Sequence, residues 1–284
     1  MATVVFFHAH PDDEALASGG TMARLSEEGH RVVLVVATRG EEGEPVPGVL
    51  GPDEALGGRR TAEVHDSAEV LGVARVAFLG YRDSGMIEDP GPNAHPDCFW
   101  QADVDEATDR LNNLLDSEVV DVLVVYDSHG GYGHPDHIQV HRVGTRWVHR
   151  RVQAGDRSVR LRWVTMNRDA LQASMDAALV EMERAEAAGE KAWSDDAMLE
   201  VRRERLESDT FGLPDAEITH GIDVTSVLGR KRSAIRAHTS QIPGDSFFLA
   251  MPDEAFAMAF GFEWYVDPKS PRGGKPQSND LLLR

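Results

Sequence analysis

Two short knots of histidine and carboxylate residues carry the chemistry open to this sequence. One is His8-Ala9-His10-Pro11-Asp12-Asp13-Glu14 and the other is His134-Pro135-Asp136-His137. Neutral imidazoles together with a carboxylate are the ligand set of catalytic zinc, whose remaining position is left to water. We read the knots as two halves of one metal site. His10 and Asp13 stand three apart and can both reach one ion, with His137 as the third ligand. Such a set leaves Zn²⁺ one net positive charge, which acidifies a water and polarises a carbonyl. Fe²⁺ suits the same donors. Asp12, beside a ligand but directed elsewhere, is the candidate general base. His134 is the candidate electrophile on the carbonyl oxygen, or the acid toward a leaving amine. Asp136 is expected to hold or charge that imidazole. Tyr132, in Gly130-Gly131-Tyr132-Gly133, could donate its hydroxyl to an oxyanion.

Either knot alone reads as readily as a polar strand end followed by an aspartate helix cap. The pair is what points to a metal. Glu14 either accepts from a ligand imidazole or simply favours a helix dipole in the first turn. His8 could line the pocket, but it is left out of the ligand set.

The elements around the knots explain how they could meet. Each knot follows an apolar run of strand length, Val4 to Phe7 and Val122 to Tyr126, rich in β-branched and aromatic residues. Beyond the first knot, Leu16, Met22, Ala23 and Leu25 recur at helical steps. Strands are expected over 3–9, 31–38, 75–79, 121–126 and 161–166, and helices over 14–28, 59–71, 104–116 and 135–153. The run Arg31-Val32-Val33-Leu34-Val35-Val36-Ala37-Thr38 is nearly continuous in apolar residues, as in a strand buried on both faces. Such alternation implies an α/β, Rossmann-like, doubly wound and mostly parallel sheet with right-handed crossovers. In the order 3-2-1-4-5 the first and fourth strands are neighbours, and the crevice at their carboxyl ends is where ligands bind. Both knots fall there. Residues 1–168 would form this core. Residues 169–284 would add a charged helical cap over 169–207 with a break near Gly189, a strand over 218–224, a basic helix over 226–238, a last strand near 262–265 and a mobile tail. The basic residues of that helix read as a solvated face. Loops 39–58 and 80–102 are long enough to be functional.

The chain has 284 residues, a hydrophobic content of 41%, and a formal net charge of −19, which disfavours nucleic acid and anionic lipid as partners. The single cysteine, Cys98, excludes an intrachain disulfide and fits a reducing compartment. No secretory leader or membrane-length apolar run is visible, so a cytoplasmic location is expected.

The motif HAHPDDE near the N-terminus, with GGYGHPDH near the middle, resembles the LmbE/PIG-L family of zinc-dependent N-acetylglucosaminyl deacetylases. Within it the sequence is most similar to the mycothiol-pathway deacetylase and the mycothiol S-conjugate amidase. The likeness runs to about His149 and returns in KRSAIRAHTSQI, residues 231–242. It implies zinc on His10, Asp13 and His137, Asp12 as base, and roles for His134, Asp136 and Tyr132 near the substrate. It also implies that Arg60 and Asp83 grip the sugar or its inositol partner. The expected activity is removal of acetyl from a GlcNAc-inositol-like conjugate. S-conjugate amidase, antibiotic-pathway amino-sugar deacetylase and a non-catalytic zinc-holding protein remain as alternatives.

Overall fold

The computed structural model describes residues 1–86, 90–189, 211–270 and 278–282, together with positions 203, 206, 273 and 276. Seven strands form one sheet: β1 (Thr3–His8), β2 (Arg31–Val36), β3 (Arg75–Phe78), β4 (Val122–Tyr126), β5 (Arg160–Thr165), β6 (His220–Asp223) and β7 (Phe262–Val266). Their order is β3-β2-β1-β4-β5-β7-β6. β1 to β5 are parallel and follow the order expected from the sequence. β7 adds antiparallel to β5, and β6 antiparallel to β7. Val4, Val5, Phe6 and Phe7 of β1 are fully buried, because helices cover both faces of this central strand.

The helices are α1 (Asp13–Ala17), α2 (Gly19–Glu27), α3 (Leu56–Leu71), α4 (Pro90–Asn93), α5 (Val104–Leu115), α6 (Pro135–Gln153), α7 (Arg168–Ala188), α8 (Leu228–Ala237), α9 (Phe247–Ala250) and α10 (Asp253–Phe260). α3 ends at Gly72, whose φ of 74° is the left-handed cap that glycine adopts without a Cβ penalty. α7 ends the same way at Gly189. Most of the stretch 190–207, expected to be helical, and part of the tail lie outside the described residues.

The single helix expected over 14–28 is two helices. Ser18 breaks it, with φ −143° and ψ 11°. Its hydroxyl meets His8 Nε2 at 2.7 Å. The new helix start is capped from β7: Glu263 accepts from the backbone N–H of Gly20 and of Thr21, each at 2.7 Å. A Cβ on Gly20 would come within 2.5 Å of Val224, so only glycine lets α2 approach the residue after β6 this closely.

Three of the four basic residues of α8 do not form a solvated face; Arg236 is exposed. Lys231 is buried and donates to Glu263 at 2.6 Å. Arg230 reaches Val70 O and Glu27, and Arg232 reaches Met251 O and Asp253. α8 packs on α2 and α3. No described helix is long and apolar enough to cross a membrane.

Candidate active site

The sheet sets the site by ending two neighbouring strands at one level. β1 stops at His8, and the chain turns through His10 to Asp13 into α1. Among the described residues Asp12 is the one non-glycine with positive φ, at 104°. Side chains from elsewhere hold that turn. Asp12 N–H donates to Glu14 Oε2 at 2.9 Å. Arg60 of α3 donates to Pro11 O at 2.5 Å, to Asp12 Oδ2 at 3.2 Å and to Gly40 O at 2.8 Å.

β4 stops at Tyr126, and Asp127 pins the glycine loop that follows. Its carboxylate accepts from His129 N at 3.0 Å, Gly131 N at 2.9 Å and Thr165 Oγ1 at 2.6 Å. His134 then caps α6, its Nδ1 accepting from Asp136 N at 3.1 Å. That bond puts the proton of the neutral ring on Nε2.

His10, His134 and His137 converge. Each brings a ring nitrogen within 4.8 Å of the others, and all three are buried. Asp13 Oδ2 lies 3.4 Å from His10 Nδ1 and 3.3 Å from His137 Nε2. Ligands placed 2.0–2.2 Å from a tetrahedral zinc lie about 3.4 Å from one another, the same spacing. His137 Nδ1 donates to Gly130 O at 3.0 Å, which leaves Nε2 as the bare lone pair. Nε2 is buried and has no hydrogen-bond partner. A lone pair facing a carboxylate oxygen at that distance is repulsive unless a proton or a metal cation sits between them. The donor set therefore fits a divalent ion.

Other side chains orient these donors. His10 Nε2 meets Asp136 Oδ2 at 3.2 Å and Asp83 Oδ1 at 3.4 Å, the carboxylate backing that metal-binding histidines commonly have. Tyr126 stacks on His137 with centroids 4.0 Å apart and planes 12° apart. Burial opposes a charge on His10, but Asp83, Asp13 and Asp136 outweigh it and hold its pKa well above the ordinary value. Burial, with the neighbouring imidazoles of His10 and His137, pushes His134 down to about 2. Burial raises Asp12 to about 6, against the pull of Arg60. Asp12, Asp13, Asp83 and Asp136 crowd here, with Arg60 the one permanent cation beside them among the described residues, so the pocket favours an added positive charge.

Of the residues singled out in the two knots, the structure brings His10, Asp13, His134, Asp136 and His137 together, while the Asp12 carboxylate lies against Arg60. The Asp136 carboxylate does not hold His134. It accepts from Ser84 N at 3.0 Å and from Ser84 Oγ, and its remaining contact is His10. Only its backbone N–H meets His134. Arg60 is 4% exposed, with its guanidinium turned onto Pro11, Gly40 and Asp12. Asp83 is equally buried against His10 and accepts from Gly85 N and Glu42 N. Tyr132 lies at the rim, 38% exposed, its ring 5.0 Å from His137 and 6.2 Å from His134. His8 does not line the pocket; it is buried between Tyr126 Oη at 2.9 Å and Ser18 Oγ. Sequence reasoning missed Ser84, Tyr126 and His238. His238 Nε2 donates to Glu14 Oε1 at 2.7 Å, and its place in KRSAIRAHTSQI was the available signal.

Residues 5–148, just over half the chain, match the model of the PIG-L family, described as GlcNAc-PI de-N-acetylase. A 1D-myo-inositol 2-acetamido-2-deoxy-alpha-D-glucopyranoside deacetylase of Acidothermus cellulolyticus is 39% identical, over 99% of this chain and 94% of that protein. The enzyme of that name from Thermobifida fusca is 36% identical over 98% of each. Among solved structures, a deacetylase of teicoplanin biosynthesis superposes with a TM-score of 0.58 at 17% identity, covering 93% of this chain and 97% of that one. The 4-carboxy-2-hydroxymuconate hydratase of Pseudomonas putida superposes with 0.56 at 17% identity, covering 98% of this chain and 100% of that one. A deacetylase and a hydratase share the fold, so architecture alone does not select the reaction. The near full-length sequence likeness and the family match agree: this chain belongs to the PIG-L, GlcNAc-PI de-N-acetylase family.

Proposed function

We propose that the protein is a metal-dependent amide hydrolase that removes acetyl from an N-acetylglucosamine-type conjugate, with GlcNAc-inositol as the leading substrate. The reading is supported by Asp13 Oδ2 lying 3.4 Å from His10 Nδ1 and 3.3 Å from His137 Nε2, with a ring nitrogen of His134 within 4.8 Å of those of His10 and His137. His10, Asp13 and His137 would hold one Zn²⁺, or Fe²⁺, per chain. When bound, the ion supplies Lewis acidity toward the amide carbonyl and toward water. Asp12 takes the proton from the attacking water. Its turn is held at a positive φ, and Arg60 donates to its Oδ2 at 3.2 Å. His134 presents Nε2–H toward the carbonyl oxygen, and the proton that Asp12 has taken passes to the leaving nitrogen. Asp136 and Asp83 keep the His10 ring oriented, and Tyr132 offers its hydroxyl from the rim. The substrate class is supported by the names of the relatives, which act on an acetamido sugar joined to inositol. A small neutral sugar also suits a protein of net charge −19 better than a phosphate backbone does.

The test is acetate release from a panel of amino-sugar amides and one thiol S-conjugate, with and without chelator. Chelation should abolish turnover, and added Zn²⁺ should restore it. Asp12→Asn should lower kcat/KM about 10²- to 10⁴-fold with the metal retained. Undiminished turnover by that variant would remove the assigned base. Absence of acetate from every amide would remove the deacetylase reading.

A further inference from the structure

We propose that His238 is a positioning residue for Asp12, acting through Glu14; this rests on the reading of Asp12 as the base. A residue held in a sparsely populated backbone conformation costs about 1–3 kcal/mol and persists only where its surroundings over-determine it. Asp12, at φ 104°, is such a residue. Its N–H is taken by Glu14 Oε2 at 2.9 Å, so the turn keeps its shape only while that oxygen stays in place. The other oxygen of the same carboxylate is pinned by Ser67 Oγ at 2.5 Å and by His238 Nε2 at 2.7 Å. Glu14, Ser67 and His238 are all fully buried.

The imidazole serves no other polar group among the described residues, since its Nδ1 is buried without a hydrogen-bond partner. Oε1 can only accept, so Nε2 carries the proton toward it. The backbone that presents His238 is fastened as well. Thr239 Oγ1 donates to Glu63 at 2.8 Å, Ser240 N at 2.8 Å and Ser240 Oγ at 2.6 Å. Glu63 belongs to α3, the helix that also supplies Arg60. The turn carrying Asp12 is thus gripped on both sides, through Arg60 at Pro11 O and through Glu14 at Asp12 N. The second grip ends in a side chain 224 residues further along. Among the described residues no hydrogen bond or ion pair joins His238 to His10, Asp13 or His137. Its effect should therefore fall on the placement of the base and not on metal or substrate binding.

The contrast is His238→Leu against His238→Gln in the full-length, zinc-loaded protein. Glutamine retains an N–H that reaches Glu14; leucine does not. Four quantities are read: kcat and KM for acetate release, zinc content, and amide exchange at Asp12 by mass spectrometry. Misplacing a catalytic group by about 1 Å costs up to about 100-fold, so His238→Leu should lower kcat about 10- to 100-fold. KM and zinc content should hold while Asp12 amide exchange accelerates, and His238→Gln should recover most of the loss. If His238→Leu does not fold, His238→Asn, too short to reach Glu14, gives the same contrast. Asp12→Asn is run alongside. Activity retained by Asp12→Asn would overturn the base assignment itself. An inactive Asp12→Asn beside a His238→Leu of normal kcat and normal Asp12 exchange would overturn the positioning role alone.

Discussion

Lys231 and Glu263 form a buried ion pair whose two halves are unequally supported, and that inequality makes a quantitative prediction. Glu263 is 3% exposed and accepts from four donors: Gly20 N, Thr21 N, Lys231 Nζ and Tyr265 Oη. Lys231 is 1% exposed and makes one hydrogen bond among the described residues, to Glu263, with the Phe260 ring 5.4 Å away. In Lys231→Met the carboxylate keeps three donors and the positive end of α2. The loss is then that of one charged hydrogen bond, near the low end of about 1.5–3 kcal/mol. In Glu263→Met the ammonium is stranded in the interior and two helix-start N–H groups lose their acceptor. Breaking a buried pair from that side costs about 3–5 kcal/mol. At about 2 °C per kcal/mol for a chain of this size, Tm should fall by about 3–4 °C in the first variant and about 6–10 °C in the second. The double variant should lose less than the sum, because neither charge is then left unpaired. Urea unfolding and calorimetry on the four proteins measure this. A Lys231→Met variant as unstable as Glu263→Met, or strict additivity, would refute the reasoning.

Two further outcomes follow from the same geometry. Gly130 has φ 66°, and a Cβ there would lie 2.7 Å from His137 Cβ. Gly130→Ala should therefore displace His137 and weaken zinc retention in dialysis against a weak chelator, and unchanged retention would count against His137 as a ligand. Burial, followed by the charge of Arg162, lowers His220 to about 4, with Asp267 and Asp280 opposing. The folded state then resists protonation that the unfolded chain accepts below about pH 6.5. The stability His220 contributes is complete above that pH and is lost as pH falls toward 4. Wild type minus His220→Asn should shrink over this window by at most about 1.4 kcal/mol per pH unit, whereas parallel stability curves would exclude the effect.

Much of the site was legible in the chain because its chemistry is local. Asp12, Asp13 and Glu14 are consecutive, and His134, Asp136 and His137 share one helix start, so two strand ends suffice to place them. The order of β1 to β5 followed from alternation and apolar runs. The break at Ser18 was not legible. It depends on Glu263, which caps α2 from a strand more than two hundred residues later. The solvated reading of α8 failed for the same reason, since nothing near Lys231 in the chain announces Glu263.

The sequence by itself determined which donors exist and at which level of the sheet they emerge, because strand periodicity and helix starts are set by neighbours along the chain. Only the tertiary structure decided how each donor is used. Asp136 serves His10 and Ser84 and not His134, Arg60 faces the peptide of Pro11 and Asp12, and His238 closes on Glu14. Those choices depend on which buried polar groups meet across the fold. A buried donor or acceptor must take a partner that packing brings within reach, wherever that partner lies in the chain.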